Sequence, residues 1–228
     1  IEESKKYNNL NFKGLSIHIG SQILDLKKFD NIFQYMTNIY KDYPEFKTID
    51  LGGGIGIQYK ENETAPSKDE FVKIISKYFT NSDLEIIIEP GRSIVGDAGI
   101  FLTKILYIKT TPTKNFIVVD GGMNNLIRPA MYDAYHHPLL VNKTNNIQKK
   151  YDIVGPICES SDVFVKSIEL NEPNAGDYIA FLSSGAYGRS MASGYNLHDI
   201  AGELLVDNGK VKVIRKPISF KDLMEFEK

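Results

Sequence analysis

The stretch "SIHIGSQ", Ser16 to Gln22, sets an imidazole inside an apolar run and follows it with Gly, Ser and Gln. Histidine titrates near neutral pH and serves as acid, base or ligand, though it also occurs as a satisfied core residue. Further along, "DLGGGIG" strips the side chains from Gly52, Gly53 and Gly54, so a run of backbone N–H groups can line an anion nest around a phosphate. The spacing is not that of a dinucleotide fingerprint, because Ile57 stands where the third glycine is required. "IIIEPGRS" places Glu89 at a buried strand end, with Pro90 stopping ladder pairing and Gly91 freeing the turn. A carboxylate there needs a cationic partner. Arg92 can supply it as a structural ion pair, and a protonated heterocycle nitrogen can do so equally.

Three later stretches carry the remaining chemistry. In "NNLIRPAMYDAYHH", Arg128 and Tyr132 bracket a proline, and both side chains can bind a carboxylate. His136 and His137 invite a metal reading, but no set of ligands stands at zinc spacing, so no metal is expected. "GPICESSD" sets the only cysteine, Cys158, beside Glu159 after a Gly-Pro turn, although a lone cysteine is usually a packing residue. "SSGAYGRSMASGYN" offers Tyr187 and Tyr195 in a small-residue loop where backbone and hydroxyls can meet a phosphate.

The elements that must position these residues follow two grammars. Up to about residue 95 strand and helix signals alternate: "GLSIHI", then "LKKFDNIFQYMTNIYKDY" with Phe29, Ile32, Phe33, Met36 and Ile39 at helical spacing and Asp25 placed to cap it. "KTIDL" comes next, then "PSKDEFVKIISKYF" with Ser67 and Glu70 in capping-box spacing, then "LEIII", a continuous apolar strand of the kind covered on both faces. A β-α-β-α-β order predicts a parallel sheet, and the chemistry-bearing residues of this half all lie just past strand ends, where βα-barrels and open α/β sheets build sites. From Gly96 on, "FIVVDGG", "YDIVGP", "GDYIAFLSSG" and "GELLVDNGKVKVIRKP" read as strands of a mostly antiparallel β domain. "DNG" is a hairpin signal, a last helix begins at Ser219, and "NKTNNIQKK" reads as an exposed loop. The fold class is therefore α/β plus all-β: a parallel βα domain over 1–95 and a β-sandwich or barrel-like domain over 96–228. Three strands cannot close an eight-stranded barrel, so the first part is either a small open sheet or the C-terminal part of a βα-barrel.

Composition narrows the class. Across 228 residues, 27 Lys and Arg balance 29 Asp and Glu, which argues against a polyanion-binding surface and hence against nucleic acid. No apolar run reaches the roughly 20 residues of a membrane span. One cysteine rules out an internal disulfide framework and fits a reducing cytoplasm.

Taken in order, "HIGSQ", "LGGGIG", "EPGR", "IRPAMYDAYHH", "GPICESSD" and "GAYG…MASGYN" resemble the diaminopimelate decarboxylases, from about Gly14 to the end. The resemblance implies the C-terminal part of a pyridoxal-phosphate enzyme, a TIM-type βα-barrel followed by a β domain, working as a homodimer with shared active sites. It implies that His18 stacks on the pyridine ring and that Ser21, Gly52–Gly54, Arg92 and Tyr187 hold the cofactor phosphate, with Pro90 and Gly91 in the same segment. Glu89 is implied to keep the pyridine nitrogen protonated, the condition for the ring to act as electron sink. Arg92, Arg128, Tyr132, Glu159 and Tyr187 are implied to surround the charged groups of meso-diaminopimelate. Cys158 is implied to return the proton, reaching with Glu159 into the other subunit's site. The reaction that the resemblance implies releases carbon dioxide and L-lysine, as the last step of lysine biosynthesis.

The family holds its cofactor through a lysine in a "YAxKAN"-like segment, and nothing here matches that segment; Lys13, Lys104 and Lys143 lack the context. The chain by itself is thus expected to be an inactive fragment. The alternatives are a related ornithine, arginine or carboxynorspermidine decarboxylase, or a non-catalytic decarboxylase-like interaction protein.

Overall fold

Strand β1 (Gly14–Ser16), helix α1 (Lys27–Asp42), strand β2 (Thr48–Asp50), helix α2 (Lys68–Phe79) and strand β3 (Glu85–Ile87) alternate along the first part of the chain. The computed structural model describes residues 1–141 and 147–227. It divides into two units, Ile1–Val95 and Gly96 onward. In the first unit the strands form a parallel sheet ordered β1-β2-β3, with Leu15, Ile49 and Ile86 in register. Phe29, Phe33, Met36 and Tyr40 of α1 are buried, as an apolar stripe at helical spacing requires. The Phe29 ring meets Phe71 of α2 edge-on at 5.0 Å between centroids. Asp25 accepts from the Lys27 amide at 2.9 Å, but Leu26 rather than Asp25 occupies the cap position. Ser67 caps α2 through the Glu70 amide.

One expectation about this unit is not met within this chain. β3 was expected to be buried on both faces, yet Ile86, Ile87 and Ile88 are 36, 42 and 44% exposed. Among the described residues β3 pairs with β2 alone in this sheet, and these three side chains stay partly exposed. Glu89 is accordingly exposed, not at a buried strand end. A short helix, α3 (Arg92–Val95), follows at once.

The second unit contains β4 (Phe101–Thr110), β5 (Asn115–Val119), α4 (Arg128–Tyr132), β6 (Pro138–Leu140), β7 (Gln148–Val154), β8 (Val163–Asn171) and β9 (Tyr178–Phe181). Its six-stranded sheet has the order β6-β9-β4-β5-β7-β8. All pairings are antiparallel except β5 with β7, which the connection through α4 and β6 is long enough to make parallel. The sheet is mostly antiparallel with one parallel pairing. Ile105, Ile117, Val119, Tyr151, Ile153, Phe164, Ile179 and Phe181 form its core. β4, β6 and β8 are additional to the segments that the sequence reading named as strands.

β10 (Glu203–Asp207) and β11 (Lys210–Arg215) form the expected hairpin, with Asn208 and Gly209 at φ 47° and 75° as a two-residue primed turn demands. Helix α5 (Phe220–Met224) begins after Ser219 with a reciprocal capping box to Asp222. Of the "NKTNNIQKK" segment, residues 142–146 lie outside the described residues, and Gln148–Lys150 open strand β7 instead of a loop.

Candidate active site

Parallel pairing sends the loops after β1, β2 and β3 out at one edge of the first unit. Glycine lets their backbones touch. A Cβ on Gly52 would lie 2.3 Å from the Ile17 carbonyl oxygen, and one on Gly53 would lie 2.2 Å from that of Glu89. The Glu89 amide donates to the Gly52 carbonyl at 2.7 Å, closing the junction. Gln22, in the left-handed region at φ 57°, clamps the glycine loop from outside: its amide group donates to the Ile57 carbonyl at 2.6 Å and accepts from the Ile57 amide at 3.2 Å.

The same junction corrects the anion-nest expectation. The Gly52 amide donates to the Asp50 carboxylate at 2.8 Å, and the Gly53 amide donates to His18 Nδ1 at 3.3 Å. These two N–H groups orient the protein's own side chains. An accepting Nδ1 leaves the ring proton of His18 on Nε2, and the imidazole itself is exposed. Arg92 donates from Nη2 to Ser21 Oγ at 3.0 Å and from Nη1 to the Tyr59 hydroxyl, and its guanidinium lies 5.6 Å from the Tyr59 ring centroid. A guanidinium beside a hydroxyl is a donor set suited to a phosphate. The structure thus brings His18, Ser21, Gly52–Gly54, Glu89 and Arg92 to one edge. Pro90 and the exposed Gly91 join the last two.

In the second unit, β4 runs antiparallel to both β5 and β9, and β5 runs parallel to β7. β5, β7 and β9 therefore point the same way, and their following loops leave at one end of the sheet. Those loops carry Arg128 and Tyr132, Cys158 and Glu159, and Tyr187 and Tyr195 respectively. Side chains stitch them together. Asp162, 3% exposed, accepts from the Met123 amide at 2.7 Å and the Ile157 amide at 2.8 Å, tying the first loop to the second. Burial pushes its carboxyl above the usual range, against the pull of those two amides. The Tyr195 hydroxyl donates to Glu159 at 3.5 Å, tying the second loop to the third.

Glu159 also accepts from the Ser161 amide and the Ser160 hydroxyl, and these bonds hold its carboxyl below the usual value. An ionised carboxylate beside the exposed thiol of Cys158 is equipped to receive an ammonium group. Arg128 and Tyr132 sit four residues apart on α4, on one side of the helix. Arg128 is 7% exposed, against 60% for Tyr132. Arg128 Nη1 lies 2.9 Å from His136 Nε2. Tyr187 holds φ 61°, a conformation uncommon for a non-glycine residue and typical of constrained functional loops.

Sequence reasoning missed Gln22, Tyr59 and Asp162, and considered His136 only for a metal reading that it set aside. Asp162 carried no local signal, because the amides it accepts from, Ile157 and Met123, lie 5 and 39 residues away. The roles of Gln22, Tyr59 and His136 depend on contacts between segments far apart or turned back on themselves, which no local pattern reports.

A family described as "Pyridoxal-dependent decarboxylase, C-terminal sheet domain" matches residues 21–185. The chain belongs to this family. It is 41% identical over 228 residues to the diaminopimelate decarboxylase of Aquifex aeolicus, covering 98% of this chain and 54% of that protein. It is 40% identical over 225 residues to that of Haemophilus influenzae, covering 96% and 54%. Among solved structures, the diaminopimelate decarboxylase of Helicobacter pylori complexed with L-lysine superposes with a TM-score of 0.92 at 39% identity, covering 99% of this chain and 57% of that one. The chain spans about half the length of the curated relatives it matches. Among its described residues, no helix is long and apolar enough to cross a membrane.

Proposed function

We propose that this chain is the C-terminal part of a cytoplasmic, pyridoxal-phosphate-dependent diaminopimelate decarboxylase that converts meso-diaminopimelate to L-lysine and carbon dioxide. The observation that carries the reading is identity of about 40%, across nearly the whole chain, to proteins named for that activity. On this reading the first unit's three parallel strands belong to a larger βα-barrel, and the protein acts as a homodimer.

The donor set at the first unit's edge fits the cofactor. Ser21 and Arg92 suit its phosphate, His18 offers an exposed ring to stack on it, and the exposed carboxylate of Glu89 suits a protonated ring nitrogen. Gly52, Gly53 and Gly54 contribute by letting the three loops close on one another. When bound, pyridoxal phosphate supplies the electron sink for loss of a carboxylate as carbon dioxide. The chain's own residues do the rest. Arg128 and Tyr132 bind a substrate carboxylate, with Arg92 and Tyr187 serving substrate as well as cofactor. Glu159, held ionised, pairs with the distal ammonium. Cys158 delivers a proton from Sγ to the carbon that lost the carboxylate. A substrate with two carboxylates and two amines needs both an arginine and a glutamate, and Arg128 and Glu159 offer these on loops at one end of the sheet.

The test is an assay of the full-length protein from which this chain comes, with cofactor, against meso-diaminopimelate, ornithine, arginine and carboxynorspermidine. Carbon dioxide release from diaminopimelate with at least a hundredfold preference in kcat/KM is expected. Preference for another amino acid would reassign the substrate, and no release from any of the four would leave a non-catalytic relative.

A further inference from the structure

We infer that His136 is a positioning residue for Arg128, a neutral imidazole that holds the guanidinium in place through a lone pair. The inference rests on the reading of Arg128 as the group that binds a substrate carboxylate. Arginine has only donors, so the 2.9 Å approach of Arg128 Nη1 to His136 Nε2 requires Nε2 to accept. On the other side of the ring, Nδ1 lies 3.0 Å from the Leu182 carbonyl oxygen, which can only accept, so Nδ1 carries the proton. Ser184 Oγ stands 3.5 Å from the same Nδ1, while its own short bond, 2.9 Å, goes to the Phe181 carbonyl. Both ring nitrogens are thereby assigned. His136 is 1% exposed and Arg128 7% exposed, so an imidazolium would direct N–H against N–H where water cannot screen the repulsion.

The chain path gives this contact its rigidity. Arg128 opens α4, and Asp133, left-handed at φ 51°, ends the helix with its amide on the Arg128 carbonyl. The reversal brings His136 back to the residue that began the turn. His137 then receives the Leu182 amide at 2.9 Å, and β6 pairs with β9 from Pro138 opposite Phe181. Leu182 thus belongs both to the sheet edge and to the ring's anchor. Sheet register sets His136, and His136 sets one arm of Arg128. A carboxylate in the place of His136 would hold that arm equally well but would neutralise its charge toward a substrate. A neutral acceptor fixes the geometry without itself neutralising the guanidinium.

Three variants of the full-length enzyme test this, each first shown to be folded by its circular dichroism and melting transition. His136→Phe keeps the ring's bulk and removes the acceptor, and KM for meso-diaminopimelate should rise about 10-fold or more, with kcat falling by less. His136→Gln restores an oxygen near the Nε2 position, and KM should return to within about 3-fold of wild type. In an Arg128→Met background, His136→Phe should add nothing further, because the two act as one unit. Unchanged KM in Arg128→Met alone would defeat the reading of Arg128 and not the ring contact. A raised KM in Arg128→Met, with normal KM in His136→Phe or additive effects in the double variant, would overturn the inference itself. A readout independent of activity keeps it falsifiable if a variant does not fold. Nitrogen-15 NMR of the histidine-labelled wild-type enzyme at neutral pH should give His136 as the neutral Nδ1–H tautomer, and an Nε2–H or doubly protonated ring refutes it.

Discussion

At the scale of single residues, the first unit concentrates its chemistry where three backbones meet, and three substitutions probe it. Glu89 is fixed by its own amide on Gly52, with its carboxylate exposed for a ligand. Glu89→Gln keeps shape and removes charge. Loss of a preorganised electrostatic partner is worth about 3–4 kcal/mol, so kcat in the full-length enzyme should fall by roughly two or more orders of magnitude, while cofactor affinity changes less. Stopped-flow or steady-state kinetics decides it, and near-normal turnover would make Glu89 merely structural. Gly53→Ala attacks the scaffold instead, because its Cβ would meet the Glu89 carbonyl at 2.2 Å. Overpacking of this kind costs about 1–3 kcal/mol, so Tm should drop by about 2–10 °C. Gly91→Ala, where an added Cβ meets nothing within 4 Å, should lower Tm far less. Equal losses in differential scanning calorimetry would contradict the backbone-junction account.

At the scale of elements, the second unit is held by bonds that cross its strands. Asp152 of β7, almost buried, accepts from Lys114 at 2.7 Å and from the Ser167 amide of β8 at 2.8 Å, where the β7–β8 register shifts. Burial pushes its carboxyl up, but the Lys114 ammonium and the Ser167 amide together bring it below the ordinary 3.8. A carboxyl lowered by folding stabilises above its unfolded-state pKa, and that contribution disappears as pH falls through the folded-state value. Lys114→Met leaves the carboxylate with one partner fewer. Because the lysine is half exposed, the expected loss at pH 7 is only about 1–2 kcal/mol in urea denaturation. The gap to wild type should close toward pH 3 and below. A gap independent of pH would mean that Lys114 acts through packing and not through the pair.

At the scale of the whole molecule, the proposed function makes two demands. No lysine of this chain stands in the family's cofactor-holding context, so the isolated chain mixed with pyridoxal phosphate and borohydride should show no stoichiometric mass increase on any one lysine. A single fixed adduct in a peptide map would refute that. The second demand concerns Cys158, which lies in the sheet unit with Glu159, whereas His18, Ser21, Glu89 and Arg92 of the cofactor site lie in the other unit. We predict that Cys158 serves the active site of the partner subunit. Mixing full-length enzyme lacking the cofactor-holding lysine with full-length Cys158→Ala should restore activity, since one site of each mixed dimer receives neither lesion. With random exchange, about a quarter of wild-type activity is expected. No recovery after verified subunit exchange would place Cys158 in its own subunit's site.

How much of this was legible beforehand follows from the range over which each force acts. Local pattern determined the helices, because the stripe Phe29–Phe33–Met36 and the Ser219 capping box are set within a few residues. It determined the "DNG" hairpin for the same reason, since only a primed turn fits those two residues between twisted strands. The motif order pointed to the family, and to His18, Ser21, Glu89, Arg92, Arg128, Cys158 and Glu159 as the residues to examine. Tertiary structure alone decided what those residues touch. An apolar run such as Ile86–Ile88 has the same pattern at an edge as at a centre, and only its strand neighbours distinguish them. The glycine amides looked open in sequence, and the side chains of Asp50 and His18, brought in by folding, engage two of them. The parallel β5–β7 pairing, the two-loop staple of Asp162 and the His136–Arg128 contact arise where distant or reversed segments are brought within hydrogen-bond reach. That reach is set by the sheet and not by spacing along the chain.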